Sequence, residues 1–180
     1  MMTRSLELSA VRAESLVALI FQRSSGQWRS ERRYYTLTDG TAKEMVSALT
    51  VQFLPQGCAE LQDLALLHNL TDVAAMTCGT VITWDSEDVM SGRQQSQGRT
   101  LFGVLGDTLY RDRGFATTKP VTAAFHCPNV DTLCLRTEYK GSVFEEELKL
   151  VGSKYRTRQT IISRAGEEQM IGQYLETRIA

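Results

Sequence analysis

Short runs with period-two alternation dominate the chain after residue 27, and they constrain its fold more than any other feature. The runs are rich in β-branched and aromatic residues and are separated by turn signals such as Gly106, Gly141 and Gly152. Strands at this close spacing are typical of an antiparallel sandwich or barrel. Short connections favour an up-and-down order, and closure removes exposed sheet edges. We therefore predict a mainly β fold: an antiparallel up-and-down barrel over about residues 27–178.

A helix is predicted ahead of the strands, over about residues 9–24. Ser9 can serve as its N-cap, because the hydroxyl oxygen can accept hydrogen bonds from free backbone N–H groups. The apolar residues that follow recur at the spacing of one helix face; they are Ala13, Leu16, Val17, Ile20 and Phe21. Because so short a helix is unstable alone, we expect it to pack on the barrel. Helix and barrel together predict one domain over residues 1–180.

Composition excludes several function classes. The net charge of −1 over 180 residues gives no basis for a nucleic-acid or membrane surface. The four cysteines contain no C-x-x-C pair and are accompanied by two histidines, so no metal site is predicted. No apolar segment suited to export or to spanning a bilayer is visible. We interpret the cysteines as reduced thiols of a cytoplasmic protein.

Charged residues near the C-terminus offer a candidate binding cavity. In the run from residue 142 to 151, Glu146 alternates in phase with Phe144 and Leu148, so it is predicted to point inward. A buried carboxylate needs a cation or a hydrogen-bond donor. One consistent choice of strand faces turns the following charged and aromatic residues into the same cavity: Glu146, Arg156, Arg158, Tyr174 and Glu176. Two guanidinium groups there would suit a carboxylate ligand.

The same residues have a simpler interpretation, which the pattern leaves open. Alternating charges on adjacent strands are more often a solvated face with cross-strand ion pairs. Trp28 and Trp84 are more often core residues than ligand contacts. Arg111 and Arg113 are more often surface charges. The cysteines are more often small buried hydrophobic residues than nucleophiles.

Three ordered segments resemble the CpcS/CpeS family of phycobiliprotein lyases. They are SSGQWRSERRYYTL (24–37), LYRDRGFAT (109–117) and TEYKGSVFEEELKLVGSKYRTRQTIISRAGE (137–167), followed by QYLETR (173–178). The family's fold is a lipocalin-like antiparallel barrel, similar to fatty-acid-binding proteins, with an accompanying helix. The resemblance implies a lyase that binds a free bilin and joins it by a thioether bond to a cysteine of a phycobiliprotein. The third segment is most similar to the phycoerythrin-type CpeS branch, which implies phycoerythrobilin and a phycoerythrin β subunit.

Site residues follow from the resemblance at matching positions. Glu146 and Arg32 match the residues assigned a catalytic role. The resemblance also implies bilin contacts at Arg156, Arg158, Thr160 and Glu176. We add Trp28, Trp84 and Tyr174 as predicted bilin contacts, because aromatic side chains can pack on a conjugated ligand. Leu175 and Gln159 depart from the family pattern, which has serine and threonine there. The resemblance implies no prosthetic group, since bilin is the substrate.

A mechanism is implied for these residues. Arg156 and Arg158 pair with the bilin propionates, the aromatic residues pack on its π-system, and Glu146 bonds to pyrrole N–H groups and supplies a proton. The partners are a phycobiliprotein apo-subunit and bilin, in a cyanobacterial cytosol, a plastid stroma or a phage-infected host, with homodimer and heterodimer both left open. Two alternatives remain: a lipocalin-like carrier of bilin or fatty acid that does not catalyse ligation, and an assembly partner of the phycobilisome.

Overall fold

Ten antiparallel strands form a closed barrel in the computed structural model, which describes residues 2–179 and the side chains of residues 12–179. Each strand pairs with its neighbours in sequence, and β1 pairs with β10 to close the sheet. The strands are β1 (Gly26–Thr36), β2 (Thr41–Pro55), β3 (Cys78–Asp88), β4 (Gln94–Leu105), β5 (Thr108–Arg111), β6 (Val121–Asn129), β7 (Thr132–Tyr139), β8 (Ser142–Val151), β9 (Tyr155–Arg164) and β10 (Glu167–Arg178). The predicted up-and-down barrel is confirmed.

Strand register brings one face of every C-terminal strand to the barrel interior. Glu146 of β8 lies opposite Thr160 of β9, and Arg156 lies opposite Glu176 of β10. On the far side of β10, Glu176 lies opposite Ser30 of β1. Because side chains alternate between the two faces, these residues all point inward. The inward face predicted for β8 is therefore observed.

Helix α1 (Met2–Ser24) covers one end of the barrel. Its Val17 and Ile20 are fully buried and pack in one core cluster with Val104, Leu109 and other barrel residues. Full burial of such a side chain contributes about 1.5–3 kcal/mol. The helix begins at Met2, so the predicted start at Ser9 is wrong: the chain is already helical before that residue, whose side chain lies outside the described ones.

Helix α2 (Ala59–Leu67) packs on the outside of β3 and β4. The close approach requires glycine on the barrel wall. A Cβ at Gly79 would stand 2.5 Å from Leu61 of α2, and one at Gly103 would stand 3.0 Å from Leu64. The outer wall is thus covered by α2 on one side, and the interior is left to the inward side chains.

The described residues contain neither a membrane-spanning helix nor a metal-binding cluster. In the part of the chain that the structure describes, no helix is long and apolar enough to cross a membrane. Within the same residues, no cluster of three or more His, Cys, Asp or Glu side chains could hold a metal ion. The four cysteines are free thiols.

Candidate functional site

A cavity of about 780 Å³ opens at the end of the barrel opposite α1. Pockets for small organic ligands are commonly about 300–1,000 Å³. Its lining combines aromatic and cationic side chains from the barrel wall with the segment between β5 and β6. The aromatic and cationic residues of the lining are Arg32, Tyr34, Trp84, Phe102, Arg111, Arg113, Phe115, Lys119, Lys140, Arg158 and Tyr174.

Glu146 lies between the guanidinium groups of Arg111 and Arg158, two arginines that line the cavity. Its Oε2 accepts a hydrogen bond from Nη1 of Arg111 at 3.2 Å, and its Oε1 lies 3.7 Å from Nη2 of Arg158. The side chain of Glu146 is 9% exposed. Two guanidinium groups are thus the polar neighbours of this carboxylate. The structure gives Glu146 an ion-paired setting, and its proton-donor role stays a prediction.

Arg111 is a site residue that the sequence interpretation missed, since it was assigned to the surface. It is 6% exposed. Its guanidinium carbon lies 4.8 Å from the ring centre of Phe102 and 5.0 Å from that of Phe115. His68, the residue that follows α2, fixes the backbone, because its Nε2 lies 2.9 Å from the carbonyl oxygen of Arg111. A buried arginine held in this way cannot exchange its partners freely, and it fixes the position of Glu146.

The alternation in LYRDRGF carried a usable signal for Arg111. Leu109 is fully buried in the barrel core, and Arg111 is two residues further along the same strand. Period two therefore places both side chains on the inner face. Only four residues long, β5 is too short for the pattern to be distinguished from a loop by sequence alone.

Aromatic side chains supply the flat walls of the cavity. The ring of Trp84 lies over Gly98, where an added Cβ would come within 2.5 Å of the indole. Tyr174 contacts Tyr34 edge-on, with ring centres 5.7 Å apart. The guanidinium carbon of Arg158 lies 5.0 Å from the Tyr174 ring centre, and that of Arg32 lies 5.5 Å from it. Arg32, Trp84, Arg158 and Tyr174 are thus placed at the cavity, as a ligand contact requires.

The remaining predicted contacts lie below the cavity, towards α1. Arg156 is 1% exposed and Glu176 is fully buried, and Nε of Arg156 hydrogen-bonds to Oε2 of Glu176. Trp28 is fully buried between Arg156 and Arg178, and its Nε1 donates to the carbonyl oxygen of Ser24 at 2.8 Å. These residues join the end of α1 to the barrel floor. They do not line the cavity.

Electrostatics at the floor are balanced internally. Burial alone would raise the pKa of Glu176, but Arg156 and Arg158 outweigh it and hold that pKa below its ordinary value. Ser30 also donates a hydrogen bond to Glu176 Oε1 at 3.1 Å. Arg156 is therefore committed to a protein carboxylate. Thr160 is buried opposite Glu146 in the β8–β9 ladder and lies off the cavity wall as well.

The segment from residue 112 to 120 forms one side of the cavity mouth. Phe115 stacks on Phe144 with ring centres 5.1 Å apart, and Tyr139 stacks on Phe144 at 4.8 Å. The hydroxyl of Tyr139 accepts a hydrogen bond from the backbone N–H of Ala116 at 2.9 Å. These contacts fix the segment to the β7–β8 hairpin, so the mouth has a defined shape.

Comparison with known proteins connects this barrel to one family. The family model described as "CpeS-like protein" matches residues 17–179. A Nostoc sp. (strain PCC 7120) protein named "Putative phycocyanobilin lyase CpcS 2" is 64% identical over 166 residues, covering 92% of each chain. A Picosynechococcus sp. (strain PCC 7002) protein named "Putative chromophore lyase CpcV" is 49% identical over 160 residues, covering 88% of this chain and 79% of that protein.

The fold has a counterpart among solved structures. The S-type phycobiliprotein lyase CPES from Guillardia theta superposes with a TM-score of 0.74 at 20% identity. The match covers 89% of this chain and 90% of that one. At this level of identity the likeness establishes the barrel fold.

Proposed function

Since this chain belongs to the CpeS-like family, we propose that it is a bilin lyase, which binds a free bilin in the barrel cavity and joins it to a cysteine of a phycobiliprotein subunit. The observation that carries the proposal is an aromatic-lined cavity whose wall includes Arg111 and Arg158, the two arginines that hold Glu146 between them. A bilin offers a flat conjugated system, pyrrole N–H donors and two carboxylates, and the cavity offers a partner for each.

The roles of the side chains follow from their positions. Trp84 and Tyr174 pack on the π-system. Glu146, held between its two arginines, accepts hydrogen bonds from pyrrole N–H groups. Arg32 and Arg158 line the same space and limit how the bilin can lie. The protein contributes to the reaction mainly by orienting the bilin, because a bilin held in one geometry reacts with the incoming thiol at a lower entropic cost.

The attacking thiol belongs to the acceptor protein. None of the four cysteines of this chain is among the residues that line the cavity. Burial raises the pKa of Cys78 and of Cys127 to about 11, so both are protonated at neutral pH and are poor nucleophiles. In the reaction, the acceptor sulfur forms a bond to a carbon of the A-ring side chain. The thiol loses its proton and the bilin ring system gains one, so the reaction is an addition. No other product leaves.

Two resemblances point to different bilins. The motif KYRTRQTIISRAGE favours phycoerythrobilin and a phycoerythrin β subunit, whereas the relative at 64% identity is named for phycocyanobilin. We infer phycocyanobilin as the first substrate to test, because an identity that extends over 92% of the chain is a broader basis than one motif. Phycoerythrobilin is the competing substrate.

The test is a transfer reaction with each bilin and with both apo-phycocyanin and apo-phycoerythrin β subunits. Covalent product is measured as bilin absorbance that stays with the subunit after acid denaturation, and the adduct is mapped to a cysteine. We expect one adduct, formed faster and at fewer sites than in the reaction without this protein. Bilin binding without any acceleration would make the protein a carrier, and affinity for the apo-subunit without affinity for bilin would make it an assembly partner.

A further inference from the structure

We propose that the bilin propionates are recognised at the mouth of the cavity by Lys119 and Lys140, and not by the arginine pair of β9. The inference rests on the proposed function and names the part of the protein that sets the orientation of the substrate. It comes from a comparison of which cations around the cavity already have a carboxylate partner.

The interior arginines Arg111, Arg156 and Arg158 already have carboxylate neighbours. Arg111 and Arg158 both contact Glu146, and Arg158 also lies 3.7 Å from Glu176. Arg156 is bonded to Glu176 below the cavity floor. To bind a propionate through the same N–H groups, Arg111 and Arg156 would have to exchange one carboxylate for another in a buried setting, and Arg158 already lies near two carboxylates. Such an exchange gains little, and it leaves a buried carboxylate without its partner.

The mouth carries cations that are not committed. Lys119 and Lys140 line the cavity and are exposed, and within the described residues neither forms an ion pair. Arg113, also on the lining, has a weak pairing with Asp112 at 3.8 Å. No acidic side chain is among the lining residues that the structure describes. A ligand with two negative charges would find its unpaired countercharges here.

The two lysines belong to segments that are joined at the cavity mouth. Lys119 lies near the end of the segment between β5 and β6, and Lys140 lies in the turn between β7 and β8. The backbone N–H of Ala116, in the first segment, donates a hydrogen bond to the hydroxyl of Tyr139, next to that turn. Two cations from joined segments of one rim suit the two propionates, which project from neighbouring pyrrole rings.

The backbone at Lys140 is a second observation. Lys140 has φ of 52° and Gly141 has φ of 75°, so both central residues of the β7–β8 turn are left-handed. Asn or Gly is strongly favoured at the first of these positions, because a longer side chain is strained there. The chain has a lysine at this strained position, and its side chain lines the cavity mouth.

Recognition at the rim would orient the rest of the bilin. The propionates project from the outer edge of the two central rings, and the pyrrole N–H groups lie along the inner edge. When the outer edge is bound at the mouth, the inner edge is directed into the cavity, towards Glu146 and the two arginines that hold it. Both ends of the proposed contact are then satisfied at once.

The experiment compares a free-acid bilin, phycocyanobilin, with its dimethyl ester, which lacks both negative charges. Affinities are measured by absorbance titration for the wild type and for the Lys119→Gln/Lys140→Asn variant. Asn keeps the turn at residue 140, since it tolerates the left-handed conformation. The control is Lys149→Gln, which removes one positive charge from an exposed position on the outer face of β8. Circular dichroism melting verifies that all three proteins are folded.

We expect esterification to weaken binding to the wild type and to Lys149→Gln by roughly 2- to 30-fold, the range for two exposed charge pairs. In the double variant the ester and the free acid should bind within twofold of each other. Equal affinities of ester and acid for the wild type would overturn the inference. So would an ester effect that persists in the double variant, because the propionates would then be bound elsewhere. A wild type that binds neither compound would overturn the proposed function, and this inference with it.

Discussion

Replacement of Arg156 by Met separates a structural role of this arginine from a role in ligand binding. Arg156 is 1% exposed and bonded to the fully buried Glu176. Removal of one partner of a buried pair typically costs about 3–5 kcal/mol, because an uncompensated charge is left behind. Glu176 keeps Ser30 and Arg158 as neighbours, so we expect the lower end of that range, about 3 kcal/mol. For a chain of this length that loss lowers Tm by roughly 6–12 °C.

The assay is urea unfolding followed by far-UV circular dichroism, with bilin affinity measured in parallel on the folded protein. The matched control is Arg164→Met, an exposed arginine at the end of the same strand, which should change stability by less than about 0.5 kcal/mol. In the double variant Arg156→Met/Glu176→Gln, stability should recover in large part, because no buried charge is left unpaired. A stable Arg156→Met protein with bilin affinity reduced tenfold or more would refute the reasoning and assign Arg156 to the ligand.

Four further predictions follow from the site. Glu146→Gln should retain bilin binding and slow covalent transfer by tenfold or more; transfer at the full rate would exclude Glu146 from the reaction. Arg111→Gln should reduce the rate of covalent transfer nearly as much as Glu146→Gln, because Glu146 loses a partner at 3.2 Å. A wild-type rate of transfer in the same assay would contradict this. Gly98→Val should displace the Trp84 ring, since even a Cβ would lie 2.5 Å from it, and an unchanged bound-bilin spectrum would show that the ring is not a contact. The pKa of Glu176 is held below its ordinary value of 4.5, so the contribution of this carboxylate to stability is present above pH 4.5 and is lost as the pH falls through the lowered pKa. Glu176→Gln should therefore weaken the loss of stability at acid pH. Stability–pH curves that run parallel for the variant and the wild type would be evidence against this prediction.

Much of the barrel follows from alternation alone. Each strand has one inward face, and the period of two identifies this face once a single buried residue is known. In β8 that residue is Phe144. The helix start could not be read in the same way. The cap signal at Ser9 is local, and nothing in it excludes further helical turns before that residue.

The depth of each residue along the barrel was the information that the sequence lacked. Trp28, Arg156 and Glu176 share the inward face with Arg158 and Tyr174, yet they lie at the end that α1 covers. Alternation specifies which face of a strand points inward, but it does not specify which end of the barrel the helix covers. The short connection between Ser24 at the end of α1 and Trp28 in β1 was the available clue, because it keeps the helix close to that end of the strand.

The role of Arg111 also depended on long-range structure. Its partners Glu146, Phe102 and His68 come from β8, β4 and the segment after α2, each far away in sequence. The motif LYRDRGF marked the position through its resemblance, but only the closed sheet brings the arginine to the carboxylate. Long-range contacts of this kind decide which of several inward charges form a site.

The most direct test of the central claim is covalent transfer of bilin by the wild type and by Glu146→Gln, measured side by side on one apo-subunit. The account predicts a single acid-stable adduct with the wild type, and bilin binding with little transfer in the variant. Adduct formation at the same rate with the wild type, with the variant and without either protein would contradict it.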